Sequence, residues 1–221
     1  MKFVDGWWWP DHERHMLDWL ANQKNRRIIN GRPAYQGKKQ LAAVHYLPAE
    51  HRGIAIDVGA HVGLWSWNLA HWFKTVEAFE PVAAHRECWE KNMQPTPDGR
   101  AAKLWPCALG EREAMIAICT TDTSSGDSWI KGKGEIPMKP LDSFHFAGVD
   151  FIKIDCEGYE EFVLRGGAET IKRDVPVIIV EQKRDMATKF DLKPLGAVKL
   201  LQSWGYDIAE EISGDYIMVH G

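Results

Sequence analysis

Short apolar runs recur along the chain at residues 54–58, 75–79, 103–109, 151–154 and 177–180, and most of the stretches between them carry apolar positions at helical spacing. Alternation of this kind predicts strands and helices in turn, hence an α/β domain built on a parallel sheet. The run Ile54, Ala55, Ile56 and Val58 has the continuous apolar character of an inner strand covered on both faces. After it, Leu64, Trp65, Leu69 and Trp72 fall on one helical face. Residues 82–93 predict a helix containing Cys88 and Trp89, residues 159–164 begin another, and 194–204 another. Residues 114–119 suggest an added hairpin strand, and 206–212 with 215–219 a closing hairpin whose last strand is antiparallel. Ahead of the first sheet strand, residues 11–22 place Met16, Leu17 and Leu20 on one helical face, with Pro10 suited to the first helical position. A second helix is expected over 35–46, ended by Pro48. The expectation is one domain over 51–221 with a seven-stranded sheet and helices on both faces. Residues 1–50 form a helical extension packed on it.

The ends of the apolar runs carry the chemistry. In the stretch IAIDVGAHVGLWS, Asp57 lies near the end of the strand, and Gly59 and Gly63 bracket a turn where backbone can approach a ligand. In open α/β sheets that carboxyl edge is where ligands bind. The second strand closes on Glu80-Pro81, and Glu80 follows Asp57 by 23 residues. That is close to the ~20 separating a glycine turn from a ribose-binding acid, and a carboxylate there can accept both ribose hydroxyls. The alternative is a cap for the next helix. A dinucleotide turn needs a second glycine where this chain has His61, and no phosphate loop GxxxxGK[ST] occurs. A cofactor with a ribose and an adenine but no phosphate, S-adenosylmethionine (SAM), therefore suits the turn better than NAD.

In VDFIKIDCEG a strand ends in Asp155 and Glu157, and the next strand ends in Glu181. Acids gathered at one sheet edge are costly without a cation, a proton or a positively charged substrate. The structural alternative is that Glu157 caps the following helix and Asp155 orients a turn. The helix over 35–46 precedes the first strand and can lie across the same edge, making Tyr35, Gln36 and Lys39 candidate ligand contacts.

Composition narrows the class of partner. At 221 residues and a formal net charge of −4, the chain lacks the broad basic footprint of a nucleic-acid protein, although Lys24, Arg26, Arg27, Arg32, Lys38 and Lys39 make one region locally basic. Cys88, Cys107, Cys119 and Cys156 have no paired or zinc-type spacing and are expected as reduced thiols. No stretch approaches the ~20 apolar residues of a membrane span, and no secretory leader is seen, so a soluble cytoplasmic protein is expected. Trp7, Trp8 and Trp9 could stack on a sugar or base, but large aromatics mostly serve burial, which favours a staple packed on the domain body. The polar, Ser/Thr/Gly-rich residues 120–134 suit either a cover over the substrate or a surface hairpin.

Taken together, IDVGAHVG, VEAFEP, FIKIDCEGYEEFVLRGG and PVIIVEQ, in that order, resemble the FkbM-type family of class I SAM-dependent methyltransferases. The resemblance spans about residues 54–181. His61 stands where the family commonly has asparagine, and residues 1–50 and 120–134 match nothing recognisable in it. It implies a Rossmann-like class I methyltransferase fold and SAM as cofactor. It further implies that Asp57, Gly59, Ala60, His61 and Gly63 lie at the methionine part. Glu80 would hold the ribose, Phe79 and Pro81 would flank the adenine, and Cys107, Ala108 and Leu109 would meet the adenine edge. Asp155 and Glu157 would lie beside the transferable methyl. The family's acceptors are hydroxyls of sugars, glycolipids and natural products, so a small-molecule or glycan acceptor is implied and nucleic acid is not.

An aliphatic hydroxyl is a poor nucleophile until its proton is removed, so methyl transfer to it calls for a positioned base or a metal. Asp155 is the expected base, with Glu157 and Glu181 orienting the acceptor or, with Asp155, holding a divalent ion such as Mg²⁺ or Mn²⁺. Rival readings are an N- or RNA methyltransferase on the same fold, an NAD-dependent oxidoreductase, and a non-catalytic SAM-binding module. The adenine-N6 type of the first carries a [DN]PP[YFW] turn where this chain has Asp155-Cys156-Glu157-Gly158. The second is disfavoured by His61.

Overall fold

In the computed structural model all residues are described except 98, 121–123, 127 and 184. The chain opens with a hairpin, β1 (Lys2–Val4) and β2 (Trp7–Trp9), followed by α1 (His15–Ala21), a second short hairpin of β3 (Ile28–Ile29) and β4 (Arg32–Pro33), and α2 (Gly37–His45). The domain body then runs β5 (Ile54–Val58), α3 (Ser66–Trp72), β6 (Thr75–Phe79), α4 (Ala83–Asn92), β7 (Ala101–Trp105). After it come β8 (Ala108–Leu109), β9 (Ala114–Cys119), β10 (Trp129–Lys133) and β11 (Ile136–Lys139). The body closes with β12 (Val149–Ile154), α5 (Glu160–Gly166), α6 (Ala168–Asp174), β13 (Val177–Glu181), α7 (Gly196–Ser203), β14 (Tyr206–Ile212) and β15 (Asp215–His220).

Seven strands form the central sheet in the order β14-β15-β13-β12-β5-β6-β7. β7, β6, β5, β12 and β13 are mutually parallel, and β15 runs antiparallel between β13 and β14. The strand order reverses at β5 and β12, so their carboxyl ends open the crevice where an α/β sheet takes its ligand. Both faces are covered, one by a core that includes Leu69, Phe73, Cys88 and Trp89, the other by one that includes Val163, Leu164, Val198 and Leu201.

The N-terminal residues are joined to the first of these cores rather than laid over it, since Trp7, Trp9, Met16 and Leu20 belong to the same apolar cluster as Leu69 and Phe73. Trp7 and Trp9 are fully buried, as a packing staple requires, but they lie in β2 rather than at a helix start. The Arg32 guanidinium lies 3.7 Å from the Trp67 ring centre and 5.0 Å from that of Trp7. Asn92 accepts the Trp8 N–H at 2.7 Å and donates to the Trp8 and Val62 carbonyls.

Several boundaries differ from the sequence expectation for local reasons. The helix expected over 11–22 starts only at His15, because the Glu13 N–H turns back to the Pro10 carbonyl and its carboxylate takes the Met16 N–H. The helix expected over 35–46 begins at Gly37, after Gln36 enters the left-handed region at φ 56°. The run 103–109 is two strands, because Pro106 removes a ladder donor; β7 ends at Trp105 in the main sheet and β8 joins a four-stranded sheet with β9, β10 and β11. Within 120–134, Trp129–Lys133 pairs with β9 as a hairpin arm, and residues 121–123 and 127 lie outside the described set. Among the described residues no helix is long and apolar enough to cross a membrane.

Candidate active site

The turn after β5 is shaped from below by a buried lysine. Lys153 points from the middle of the sheet, 3.3 Å from Asp57, and donates to the carbonyls of Val58 (3.0 Å) and Gly59 (2.7 Å). Burial alone would lower its pKa, but Asp57 and Asp155 outweigh that and leave it raised, so the ammonium stays charged. Asp57 also accepts the Ser66 hydroxyl at 2.6 Å, which ties the strand end to the start of α3. Gly59 has φ +75°, and a Cβ there would sit 2.1 Å from the Asp155 carbonyl oxygen. Only glycine lets the turns after β5 and β12 come this close.

Glu80 organises the other side of the crevice. Its carboxylate accepts the backbone N–H of His61 (2.8 Å) and of Val82 (2.8 Å), and faces His85 Nδ1 at 3.2 Å. It thus holds the backbone just ahead of α4, which itself has no side-chain cap, while lining the cavity. That cavity is bounded by Gly59, His61, Phe79, Glu80, Pro81, Ala108, Leu109, Asp155 and Glu157. A second is bounded by Tyr35, Ala60, Trp65, Glu181 and Lys183 together with His15 and Met16 from the N-terminal residues. Gly59, His61, Gly126, Asp155 and Glu157 line both, so the two are lobes meeting at the acids after β12.

Oxygens of Asp155, Glu157 and Glu181 lie within 4.8 Å of one another. Burial pushes Glu181 up to about 9, with the Asp155 charge adding to it, against the pull of Lys183. For Asp155 burial acts upward, but Lys153, Lys183 and a hydrogen bond from Glu181 outweigh it and hold the group low. The cluster therefore presents one ionised carboxylate, Asp155, beside one neutral acid, Glu181. Three oxygens so placed are a donor set for a hard divalent cation. Two ammonium groups already stand there, however, Lys183 on Glu181 and Lys153 beside Asp57. The residues fit an ion poorly.

The raised Glu181 has a consequence for stability. Its folded-state pKa lies above the ordinary 4.5, so the native state holds the extra proton between about pH 4.5 and 9. Stability from this group is complete below that window and is lost as pH rises through it. Urea titrations are expected to show wild-type stability falling from about pH 5 to 9, and Glu181→Gln should flatten the fall. Equal slopes in the two proteins would show that Glu181 titrates normally.

Four residues expected at the ligand stand behind the cavity walls instead. Gln36 accepts the Trp65 indole N–H at 3.0 Å. Asp57 is fully buried beneath the turn. Gly63 packs on Trp89, where a Cβ would come within 3.0 Å of the ring. Cys107 is buried, its thiol pushed up to about 11. Lys39 pairs with Asp215 at 2.7 Å, whereas Tyr35 does line the second lobe. α5 has no side-chain cap; Glu160 at its start turns back to accept the N–H groups of Cys156 (3.1 Å) and Gly158 (2.9 Å) ahead of the helix, and burial raises its pKa to about 7. Lys153 and Glu160 were missed by the sequence reading. A lone lysine inside the apolar strand FIKI was a signal for the first.

A mostly parallel seven-stranded sheet with this order, a glycine turn after its central strand and acids at the neighbouring strand ends define a Rossmann-like fold of the class I methyltransferase type. A model of the methyltransferase FkbM domain matches residues 57–208, and the chain belongs to that family. Among solved structures it is similar to the methyltransferase FkbM of Methylobacillus flagellatus KT, with a TM-score of 0.54 and 17% identity over 76% of this chain and 43% of the other. The chain thus spans less than half the length of that relative. It is also similar to precorrin 8w decarboxylase of Methanobacterium thermoautotrophicum (TM-score 0.51, 15% identity, 92% of this chain and 97% of the other). A third is the magnesium protoporphyrin IX methyltransferase of Synechocystis PCC 6803 with bound SAM (0.50, 13%, 94% and 92%). At these identities the likeness is one of fold. No curated protein matches the chain.

Proposed function

We propose that the chain is a SAM-dependent methyltransferase that transfers the methyl group to a hydroxyl of a sugar, glycolipid or natural-product acceptor. Family membership and the SAM held by a structure of the same fold support the cofactor. The first lobe suits the nucleoside, with Glu80 toward the ribose, Phe79 and Pro81 beside the adenine, and Ala108 and Leu109 at its edge. The methionine part would follow Gly59, Ala60 and His61 into the junction, and the acceptor would enter the second lobe between Tyr35, Trp65 and Glu181.

The observation that carries the reading is the ionised Asp155 lining both lobes beside the neutral Glu181. A sulfonium at the junction would meet an anion, and an acceptor hydroxyl approaching from the second lobe would have an oxygen ready to take its proton as the new bond forms. Glu157, at the same junction, would orient the acceptor. The acids and Lys183 also match the hydrogen-bonding pattern of a polyhydroxylated acceptor better than that of an apolar one.

An acceptor screen with radiolabelled SAM, covering glycans, glycolipids and polyketide-like alcohols, tests this. Label transferred to a hydroxyl, and lost with Asp155→Asn, is expected. Label found only on amines or RNA would replace the reading by an N- or RNA methyltransferase, and tight SAM binding without turnover on any acceptor would leave a binding module.

A further inference from the structure

Glu13, Ser125 and His61 come from three parts of the chain that depart from the family pattern, and they meet in one buried chain of hydrogen bonds. Glu13, fully buried, accepts the Met16 N–H at 2.7 Å through one oxygen and the Ser125 N–H at 2.7 Å through the other. The Ser125 hydroxyl also donates to that second oxygen. His61 Nε2 lies 2.6 Å from the same hydroxyl oxygen. Because the Ser125 proton is committed to the carboxylate, its oxygen accepts from His61, and the imidazole proton sits on Nε2. Nδ1 then carries a lone pair, is buried, and has no hydrogen-bond partner among the described residues. The ring borders both lobes, its backbone N–H is held by Glu80, and the His85 ring stands edge-on with centres 4.5 Å apart. Burial, then His85 and Lys153, drive its pKa well below the ordinary value, so it stays neutral and able to accept.

We infer that Glu13, Ser125 and His61 form a positioning relay that links the N-terminal residues to the cofactor cavity and presents His61 Nδ1 as an acceptor for an O–H or N–H donor of the bound cofactor. The inference rests on the cofactor reading above. The geometry explains why a buried carboxylate lies ahead of the matched family residues: it orders α1 over the cavity and fixes the tautomer of the one ring in the glycine turn. Asparagine in place of His61 has a side-chain carbonyl that could accept from the same donor.

Histidine-selective ¹⁵N NMR on the full chain, with calorimetry of S-adenosylhomocysteine (SAH) binding, tests the relay. In wild type His61 is expected as the Nε2–H tautomer without ligand, and its Nδ1 signal should move upfield when SAH donates to it. Ser125→Ala should mix the tautomers and weaken SAH binding by about tenfold, with Glu13→Gln doing the same. His61→Asn should retain affinity within about threefold. Should Glu13→Gln fail to fold, Ser125→Ala, which removes a single hydroxyl, decides the matter. A proton on Nδ1 in the free protein, an Nδ1 signal indifferent to bound SAH, or unchanged affinity in Ser125→Ala would each overturn the relay. Wild-type protein that binds no SAH would remove the cofactor reading instead, and the tautomer of the free protein tells the two failures apart.

Discussion

Replacing Asp155 by asparagine is expected to lower turnover by about 10²–10⁴, the usual contribution of a positioned base, while changing SAM affinity by about tenfold at most. The split follows from where Asp155 stands. It is the ionised member of the acid pair and lines both lobes, whereas the groups proposed to hold the nucleoside, Glu80, Phe79 and Pro81, border the first lobe only. Asparagine keeps the shape and an accepting oxygen for the Glu181 hydrogen bond but can take no proton from an acceptor. Loss of its charge also leaves Lys153 and Lys183 less balanced, which accounts for the modest effect allowed on binding of a sulfonium. Single-turnover kinetics at saturating SAM separate the two effects. Normal turnover in Asp155→Asn would leave positioning alone as the catalytic contribution of this edge.

Gly59→Ala is expected to be strongly destabilising for a single added methyl. The new Cβ would meet the Asp155 carbonyl oxygen at 2.1 Å, a backbone atom that cannot rotate away, at a φ of +75° that alanine adopts only with strain. Strain and collision together should cost on the order of 4 kcal/mol, about a 10 °C fall in melting temperature for a domain of this size. Gly31→Ala is the control, because Gly31 has φ +81° with nothing within 4 Å of its Cβ position and so isolates the dihedral strain. Equal losses in the two variants would mean that the approach of the two turns is looser than described.

Much of the sheet was legible because each strand carries its own local signature. Ile54–Val58, Thr75–Phe79 and Val177–Glu181 are apolar runs closed by a turn or an acid, and their boundaries follow the pattern directly. The acids at their ends were legible for the same reason, since a charge at the close of a buried strand has to face the sheet edge. What escaped was set by distance in sequence. Glu13 meets Ser125 across 112 residues, and no periodicity joins them. Lys153 interrupts an apolar run, and its partners, Asp57 and the Val58 and Gly59 carbonyls, lie more than ninety residues earlier in the chain. Gln36 and Cys107 lie outside the lining of the two lobes for a different reason. Proximity to an element end was visible in the sequence, but which way the side chain turned depended on Trp65 in one case and on the break at Pro106 in the other.

The central claim is that the crevice between Gly59 and Glu80 holds an adenosyl cofactor, and direct calorimetric titration of SAH into wild type and Glu80→Ala tests it. Glu80 would supply charge-assisted hydrogen bonds to the ribose, worth about 1.5–3 kcal/mol each, while also holding the His61 and Val82 N–H groups that shape the turn. Wild type is expected to bind SAH, and Glu80→Ala to lose at least about tenfold in affinity, about 1.4 kcal/mol, with its circular dichroism intact. Binding of equal strength in a folded Glu80→Ala protein, or a wild type that takes up no SAH, would contradict it.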